Sequence, residues 1–218
     1  MTNPVIENIR RSLGRAGQKT LSQRPEIYEA RQSEPLDAEI ETFLREIKKL
    51  SGTGQSLLPS EIDSELKALI QQQDIKRATV WETPQLRQLG ITEILNSLGV
   101  ELISPNADKH ELATCDLGVT EAAYLLPETG TLVLQSSAGK PRAVSLLPRV
   151  HLAIVRPEML RADMHQVFAE AKALHYLLFI TGPSRTADIE LTVTLGVHGP
   201  RSLYVWMMGS EARQNPIP

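Results

Sequence analysis

The sequence has one cysteine, few aromatic residues and little net charge. Because Cys115 is the only cysteine, the chain alone can form neither an intrachain disulfide nor a cysteine-ligated iron–sulfur site. This usage fits a reducing compartment. Aromatic residues make up 4% of the chain and the net charge is -3, whereas a nucleic-acid binder normally has a basic surface and stacking aromatics. Nucleic acid is therefore not expected as a partner, and small molecules or proteins are.

Long apolar segments are also missing. No apolar run approaches the roughly 18 residues that a membrane-spanning helix needs. The first fourteen residues carry Glu7, Arg10 and Arg11 where a secretory signal would be continuously apolar. We therefore expect a cytoplasmic protein with no membrane span.

What is present indicates a short N-terminal region followed by one α/β domain. Apolar residues near the start recur on one side of a helix, at Val5, Ile6, Ile9 and Leu13. A polar stretch with two prolines follows, so residues 1–35 are predicted to be an amphipathic helix and linker, and residues 36–218 the main domain. Packing of this helix on the domain or on a second subunit is favoured over membrane binding, which leaves a homo-oligomer open.

The main domain alternates strand and helix patterns. Residues 78–81 and 100–104 read as strands on either side of a helix at 84–98, a unit that normally gives parallel neighbours. The predicted fold is a layered α/β domain with a parallel or mixed sheet. Further predicted elements are strands at 150–155, 176–181 and 203–207 and a helix at 157–174.

Glu128 is the first candidate for chemistry. It lies in the turn Pro127–Gly130 between two strand patterns, where the main chain would present its carboxylate in a fixed position. Gly130 would allow a positive φ or the close approach of a ligand, and Thr129 and Thr131 offer hydroxyls. The alternative is an ordinary hairpin turn with a solvated glutamate.

Cations follow this turn in the sequence. Lys140 and Arg142 are placed to neutralise a carboxylate or phosphate ligand, although an ordinary charged loop has the same composition.

Two segments near the C-terminus supply further candidates. Gly182 and Ser184 follow a predicted buried strand, where open α/β sheets bind ligands. His198 precedes Gly199 in a turn and is a candidate proton donor or acceptor near neutral pH, although a lone loop histidine is more often a structural hydrogen-bonding group. We expect these groups to share one pocket with Glu128.

Asp188 and Glu190 lie between these two segments. Being two residues apart, they would share one face of a strand, which suits acid–base or cation-binding work as well as an exposed edge. No metal site is expected, because the histidines of the second half of the chain lack ligand spacing.

Three ordered segments of the sequence resemble the LUD-domain family, and within it the lactate-utilisation protein C branch. They are GVTEAAYLLPETGTLVL at 118–134, RAVSLLPRVHLAIV at 142–155 and TGPSRTADIELTVTLGVHGP at 181–200. The resemblance implies a NagB/RpiA/CoA-transferase-like fold. It also implies a part in oxidising L-lactate to pyruvate with two partner proteins that carry the iron–sulfur clusters.

The resemblance leaves three roles open for this chain. The first is a non-redox subunit that binds a small carboxylate or CoA and holds no cofactor of its own, with Glu128, His198 and Asp188 as the catalytic candidates. The second is an independent acyl-transfer enzyme, since a glutamate attacks the acyl group in CoA-transferase-like enzymes and Glu128 has a similar context. The third is a ligand-sensing regulatory protein.

Overall fold

The chain divides into two units, residues 1–30 and residues 31–218. The computed structural model describes residues 4–12, 14, 31–171, 176–187, 193–196 and 198–209. The first unit contains helix α1 (Pro4–Ser12), where the amphipathic pattern predicted a helix. Val5 and Ile9 are exposed on α1.

The second unit contains the remaining helices, most of them short. They are α2 (Leu36–Lys49), α3 (Ile62–Gln73), α4 (Pro84–Gln88), α5 (Ile91–Ser97), α6 (Lys109–Leu112), α7 (Ala143–Leu146) and α8 (Met164–Glu170). No helix in the described ranges combines the length and the apolar character that crossing a bilayer requires.

The strands of the second unit form a large sheet, a small sheet and a separate pair. They are β1 (Thr53–Leu57), β2 (Arg77–Val80), β3 (Glu101–Ile103), β4 (Leu117–Glu121), β5 (Tyr124–Leu126), β6 (Thr131–Gln135), β7 (Val150–Val155), β8 (Leu177–Thr181), β9 (Arg185–Ala187), β10 (Val193–Leu195) and β11 (Ser202–Met208). The large sheet is parallel in the order β1-β11-β7-β4-β2-β3, the small sheet is β5-β6-β8 and the pair is β9-β10.

The large sheet is the centre of the core. Every residue of β7 is buried, as expected for an interior strand of a parallel sheet whose two faces are covered. β2 and β3 are parallel neighbours, as the strand–helix–strand pattern predicted. The prediction of a layered α/β fold is confirmed.

Two predicted helices have bounds that differ from those in the structure. The segment 84–98 forms two helices, because Gly90 takes a left-handed φ of 65° between α4 and α5. The segment 157–174 begins with a 3-10 turn, and its α-helix starts only after Asp163, whose carboxylate accepts a hydrogen bond from the Gln166 amide (2.9 Å).

Strands β1 and β4 were not predicted. β1 has the sequence TGQSL, which shows no clear apolar alternation, and it lies at the edge of the sheet. β4 includes Gly118, and a Cβ added at this position would lie 1.9 Å from the Val144 carbonyl oxygen. The missing side chain therefore lets α7 pack directly on β4.

Candidate functional site

The two C-terminal segments that the sequence singled out meet around one cavity. The Ser184 amide donates to the Pro200 carbonyl (2.9 Å), which joins the segment after β8 to the segment before β11. Gly182, Ser184, His198 and Gly199 all line a cavity of about 260 Å³. We call it the histidine cavity; its other lining residues are Ser145, Leu146, His151, Leu178, Phe179, Ile180, Thr181, Pro183, Arg185, Pro200 and Leu203.

His151, which is not among the predicted site residues, is the most deeply buried ionisable group of this cavity. It is 1% exposed, and its Nε2 is 2.8 Å from Thr120 Oγ1. Its Nδ1 is buried and has no hydrogen-bond partner. Burial lowers the pKa of His151 to about 3, so the imidazole is neutral near pH 7. A buried polar atom without a partner is uncommon in folded proteins, which makes His151 a candidate functional residue of the cavity.

Neighbouring strands and α7 hold His151 in place. On β7 it pairs with Gly118 of β4 and with Leu203 of β11. Thr120 lies two residues after Gly118, and therefore on the same face of the sheet. Helix α7 packs on Gly118 and contributes Ser145 to the cavity, and the Ser145 hydroxyl donates to the Arg142 carbonyl (2.9 Å).

Thr181, Arg185 and His198 are the exposed polar residues of the cavity lining, and Arg185 carries a positive charge. The Arg185 guanidinium donates to the Leu50 carbonyl at the end of α2. This contact leaves further guanidinium N–H groups available, since a guanidinium has five. The cavity thus combines a neutral buried imidazole with a cation in its lining.

The turn Pro127–Gly130, which we call the acidic corner, does not contribute Glu128 to the histidine cavity. Glu128 is exposed on a 3-10 turn and does not line the histidine cavity. The corner packs against α2: a Cβ added at Gly130 would lie 2.9 Å from the Ile47 amide nitrogen. Gly130 thus has the expected positive φ, 59°. The close approach that this glycine allows is to the backbone of α2.

The charge of Glu128 acts on Arg31. Two guanidinium nitrogens of Arg31 each lie 3.0 Å from a carboxylate oxygen of Glu39. This hydrogen-bonded pair outweighs the cost of burial and raises the pKa of Arg31, and the nearby charge of Glu128 raises it further. Glu128 therefore takes part in a charged network beside the start of α2.

A chain of hydroxyls connects the acidic corner to the histidine cavity. Thr129 Oγ1 is 2.7 Å from Thr131 Oγ1, which is 2.8 Å from Thr181 Oγ1. Thr181 lines the cavity, whereas Thr129 and Thr131 do not. The two regions are neighbours, but Glu128 and His151 do not line the same cavity.

Lys140 and Arg142, the cations predicted to neutralise a ligand, lie outside the histidine cavity. Lys140 Nζ is 3.9 Å from a carboxylate oxygen of Glu121 and 5.8 Å from the centre of the Trp81 ring. The Arg142 guanidinium stacks 4.8 Å from the centre of the Tyr176 ring. Neither residue lines the histidine cavity.

Asp188 and Glu190 fall outside the described residues. Two further cavities, of about 840 and 410 Å³, lie elsewhere in the described second unit, and no sequence-predicted site residue lines either one.

Comparison with known proteins identifies the family. The LUD domain model matches residues 25–208. The chain belongs to the LUD-domain family. It is 28% identical to Lactate utilization protein C of Halalkalibacterium halodurans, over 92% of this chain and 94% of that protein. It is 31% identical to the protein of the same name from Shouchella clausii, over 89% and 92%. The resemblance to the lactate-utilisation protein C branch is thus confirmed.

A solved structure agrees with the fold. The crystal structure of a DUF162 family protein from Deinococcus radiodurans superposes with a TM-score of 0.59 at 19% identity, covering 81% of this chain and all of that one. At this identity the likeness supports the shared α/β architecture alone.

Proposed function

We propose that this LUD-domain chain is a component of an L-lactate utilisation system, in which it binds a small 2-hydroxy or 2-keto acid in the histidine cavity. Relatives named Lactate utilization protein C, matched over most of their length, support a role in lactate utilisation. The observation that carries the ligand site is the histidine cavity itself, in which residues 142–155 and 181–200 bring His151, Arg185 and His198 together.

The size and polarity of the cavity favour a ligand of a few heavy atoms. Its volume of about 260 Å³ is below the roughly 300–1,000 Å³ that drug-sized ligands occupy. Because His151 is neutral, it suits an uncharged oxygen of the ligand. Arg185 suits the carboxylate. A hydroxy or keto acid has an uncharged C2 oxygen and a carboxylate, so the imidazole and the guanidinium suit one group each.

We assign electron transfer to partner proteins that carry iron–sulfur clusters. Such clusters are held by several thiolates, and this chain has one cysteine. Cys115 is buried, and burial raises the pKa of its thiol to about 11. The side chain therefore stays a thiol near pH 7, and the redox centres of the proposed system lie in other chains.

Calorimetric titration of the full chain with L-lactate and with pyruvate tests the ligand site. We expect His151→Phe, which keeps a ring of similar size, to weaken binding by at least about tenfold, the loss of one buried hydrogen bond. His110→Phe is the matched control, since His110 is exposed and does not line the cavity. The proposed site is wrong if neither acid binds, or if both variants bind as the wild type does.

A second experiment tests the proposed system. Deletion of the gene in its host should abolish growth on L-lactate, and the tagged chain should recover iron–sulfur proteins from lysate. Normal growth of the deletion strain on lactate would contradict the proposal.

A further inference from the structure

The histidine cavity runs along the outer edge of strand β8. Consecutive residues of this strand line it, namely Leu178, Phe179, Ile180 and Thr181. Leu178 and Ile180 pack against the main core, whereas Phe179 packs on the opposite face with Val167 of α8. A cavity on one face of a strand would be lined by alternate residues only. No residue of β6, the neighbour of β8 on its inner side, lines the cavity. The cavity therefore borders the outer edge of the strand.

The register of β8 determines which main-chain groups face this edge. The Ser136 amide donates to the Tyr176 carbonyl (3.2 Å), directly across the ladder that joins β6 and β8. In an antiparallel ladder, alternate residues exchange both hydrogen bonds with the neighbouring strand. Every second residue from Tyr176 therefore bonds to β6, and the main-chain groups of Leu177, Phe179 and Thr181 point outward. These outward groups have no hydrogen-bond partner among the residues that the structure describes.

The outward groups of Thr181 lie beside the Arg185 guanidinium. Both residues line the cavity. A Cβ added at Gly182, the residue after Thr181, would lie 3.2 Å from a guanidinium nitrogen of Arg185. The edge therefore offers a main-chain donor, a main-chain acceptor and a positive charge at one place. An acid that carries a hydrogen-bond donor next to its carboxylate matches this set of groups.

We propose that the outer edge of β8 binds a 2-hydroxy acid in the way that it would pair with a residue of another strand. A strand residue carries its N–H on Cα and its oxygen on the next carbon, and a 2-hydroxy acid carries its hydroxyl on C2 and its carboxylate on C1. The Thr181 amide donates to one carboxylate oxygen, and the C2 hydroxyl donates to the Thr181 carbonyl. The Arg185 guanidinium donates to the other carboxylate oxygen. This inference rests on the proposed function, because it takes the histidine cavity to hold such an acid.

This pairing selects 2-hydroxy acids over 2-keto acids. The C2 oxygen of a keto acid has no hydrogen to donate, so it would face the Thr181 carbonyl as a second acceptor. The lost hydrogen bond and the repulsion between the two acceptors both disfavour the keto acid. We therefore expect L-lactate to bind about tenfold more tightly than pyruvate.

Amide hydrogen exchange of the full chain, followed by NMR, tests the pairing. We expect saturating L-lactate to slow the exchange of the Thr181 amide by at least about tenfold. Leu177 is the internal control, because its amide also points outward but the residue does not line the cavity, and its exchange should not change. Lactate binding without protection of Thr181, or equal affinities for lactate and pyruvate, would overturn the inference and leave the proposed ligand site standing. Failure of both acids to bind would overturn the proposed function itself.

Two variants of Thr181 give an independent test by calorimetric titration. Thr181→Pro removes the outward N–H, which the sheet does not use, and proline is tolerated at such edge positions. Thr181→Val is the matched variant, since both lose the hydroxyl that contacts Thr131 but only valine keeps the N–H. We expect Thr181→Pro to bind L-lactate at least about tenfold more weakly than Thr181→Val does. Equal affinities of the two variants for lactate would overturn the inference.

Discussion

The acidic corner and the histidine cavity are neighbours joined by three threonine hydroxyls, but their polar groups have different surroundings. Glu128 at the corner is exposed and held by a turn that packs on α2. His151 in the cavity is 1% exposed and has one nitrogen without a partner. An exposed carboxylate is hydrated by bulk water, whereas a buried nitrogen without a partner is a polar group that the surrounding protein leaves unsatisfied.

This difference indicates that the acidic corner and the histidine cavity have different roles. The segment at the corner, PETGT, places a glycine where a helix backbone leaves no space for a side chain. The segments around the cavity bring polar residues from β7, α7 and both C-terminal segments to one cavity. We therefore assign packing to the corner and ligand binding to the cavity.

The largest effect is expected from Gly118→Ala, on the cavity side. The added Cβ would lie 1.9 Å from the Val144 carbonyl oxygen, so α7 must move away from β4. We expect the free energy of unfolding in urea to fall by at least about 3 kcal/mol, with loss of ligand binding. Gly139→Ala is the control, because nothing lies within 4 Å of the added atom. Equal stability of the two variants would contradict the close packing of α7.

Gly130→Ala makes the matching change at the corner. The new Cβ would lie 2.9 Å from the Ile47 amide nitrogen, on a residue with a φ of 59°. We expect a loss of about 2–3 kcal/mol in urea unfolding and lactate affinity within about twofold of the wild type. Gly99→Ala has a similar φ without the contact and should cost about 1 kcal/mol. Loss of lactate binding in folded Gly130→Ala protein would tie the corner to the site.

The pH dependence of the free energy of unfolding should show the low pKa of His151. Its folded pKa is about 3 and the ordinary value is 6.5, so the unfolded chain binds a proton that the folded chain refuses. The stability that neutral His151 contributes is complete above pH 6.5 and is lost as the pH falls toward 3. Between pH 8 and pH 5 this loss is about 2 kcal/mol.

Urea unfolding at pH 8 and pH 5 measures this loss. His151→Phe should lack the component of about 2 kcal/mol, whereas His110→Phe should follow the wild type. Parallel pH curves for the wild type and His151→Phe would contradict the neutral buried state.

The smallest effect is expected from Glu128→Gln. Because Glu128 is exposed, its neutralisation should change stability by no more than about 0.5 kcal/mol. Titration with L-lactate should give an affinity within about twofold of the wild type. A loss of lactate affinity comparable to that of His151→Phe would instead place the ligand site at the acidic corner.

The sequence predicted the fold well where strands are continuously apolar. The segment 150–155 forms β7 with the predicted bounds, because an interior parallel strand must be apolar on both faces. The edge strand β1 was not predicted because its polar sequence lacks this apolar pattern. Gly90 and Asp163 changed the predicted helices through local backbone and capping effects that periodicity does not detect.

The site was predicted only in part. Gly182, Ser184, His198 and Gly199 line the cavity, since they follow or precede strands whose ends meet. His151 was passed over because it lacks metal-ligand spacing, although a histidine within an apolar strand is itself a signal of a buried polar group. The exposure of Glu128 depends on packing between the corner and α2, which is a tertiary contact that the turn sequence does not encode.

A crystal structure of the full chain with bound L-lactate is the most direct measurement of where the ligand lies. We expect lactate in the histidine cavity beside His151, with its carboxylate within about 2.7–3.2 Å of the Arg185 guanidinium and Thr120 still bonded to His151 Nε2. Lactate bound at Glu128, with the histidine cavity empty, would contradict the assignment of the two regions.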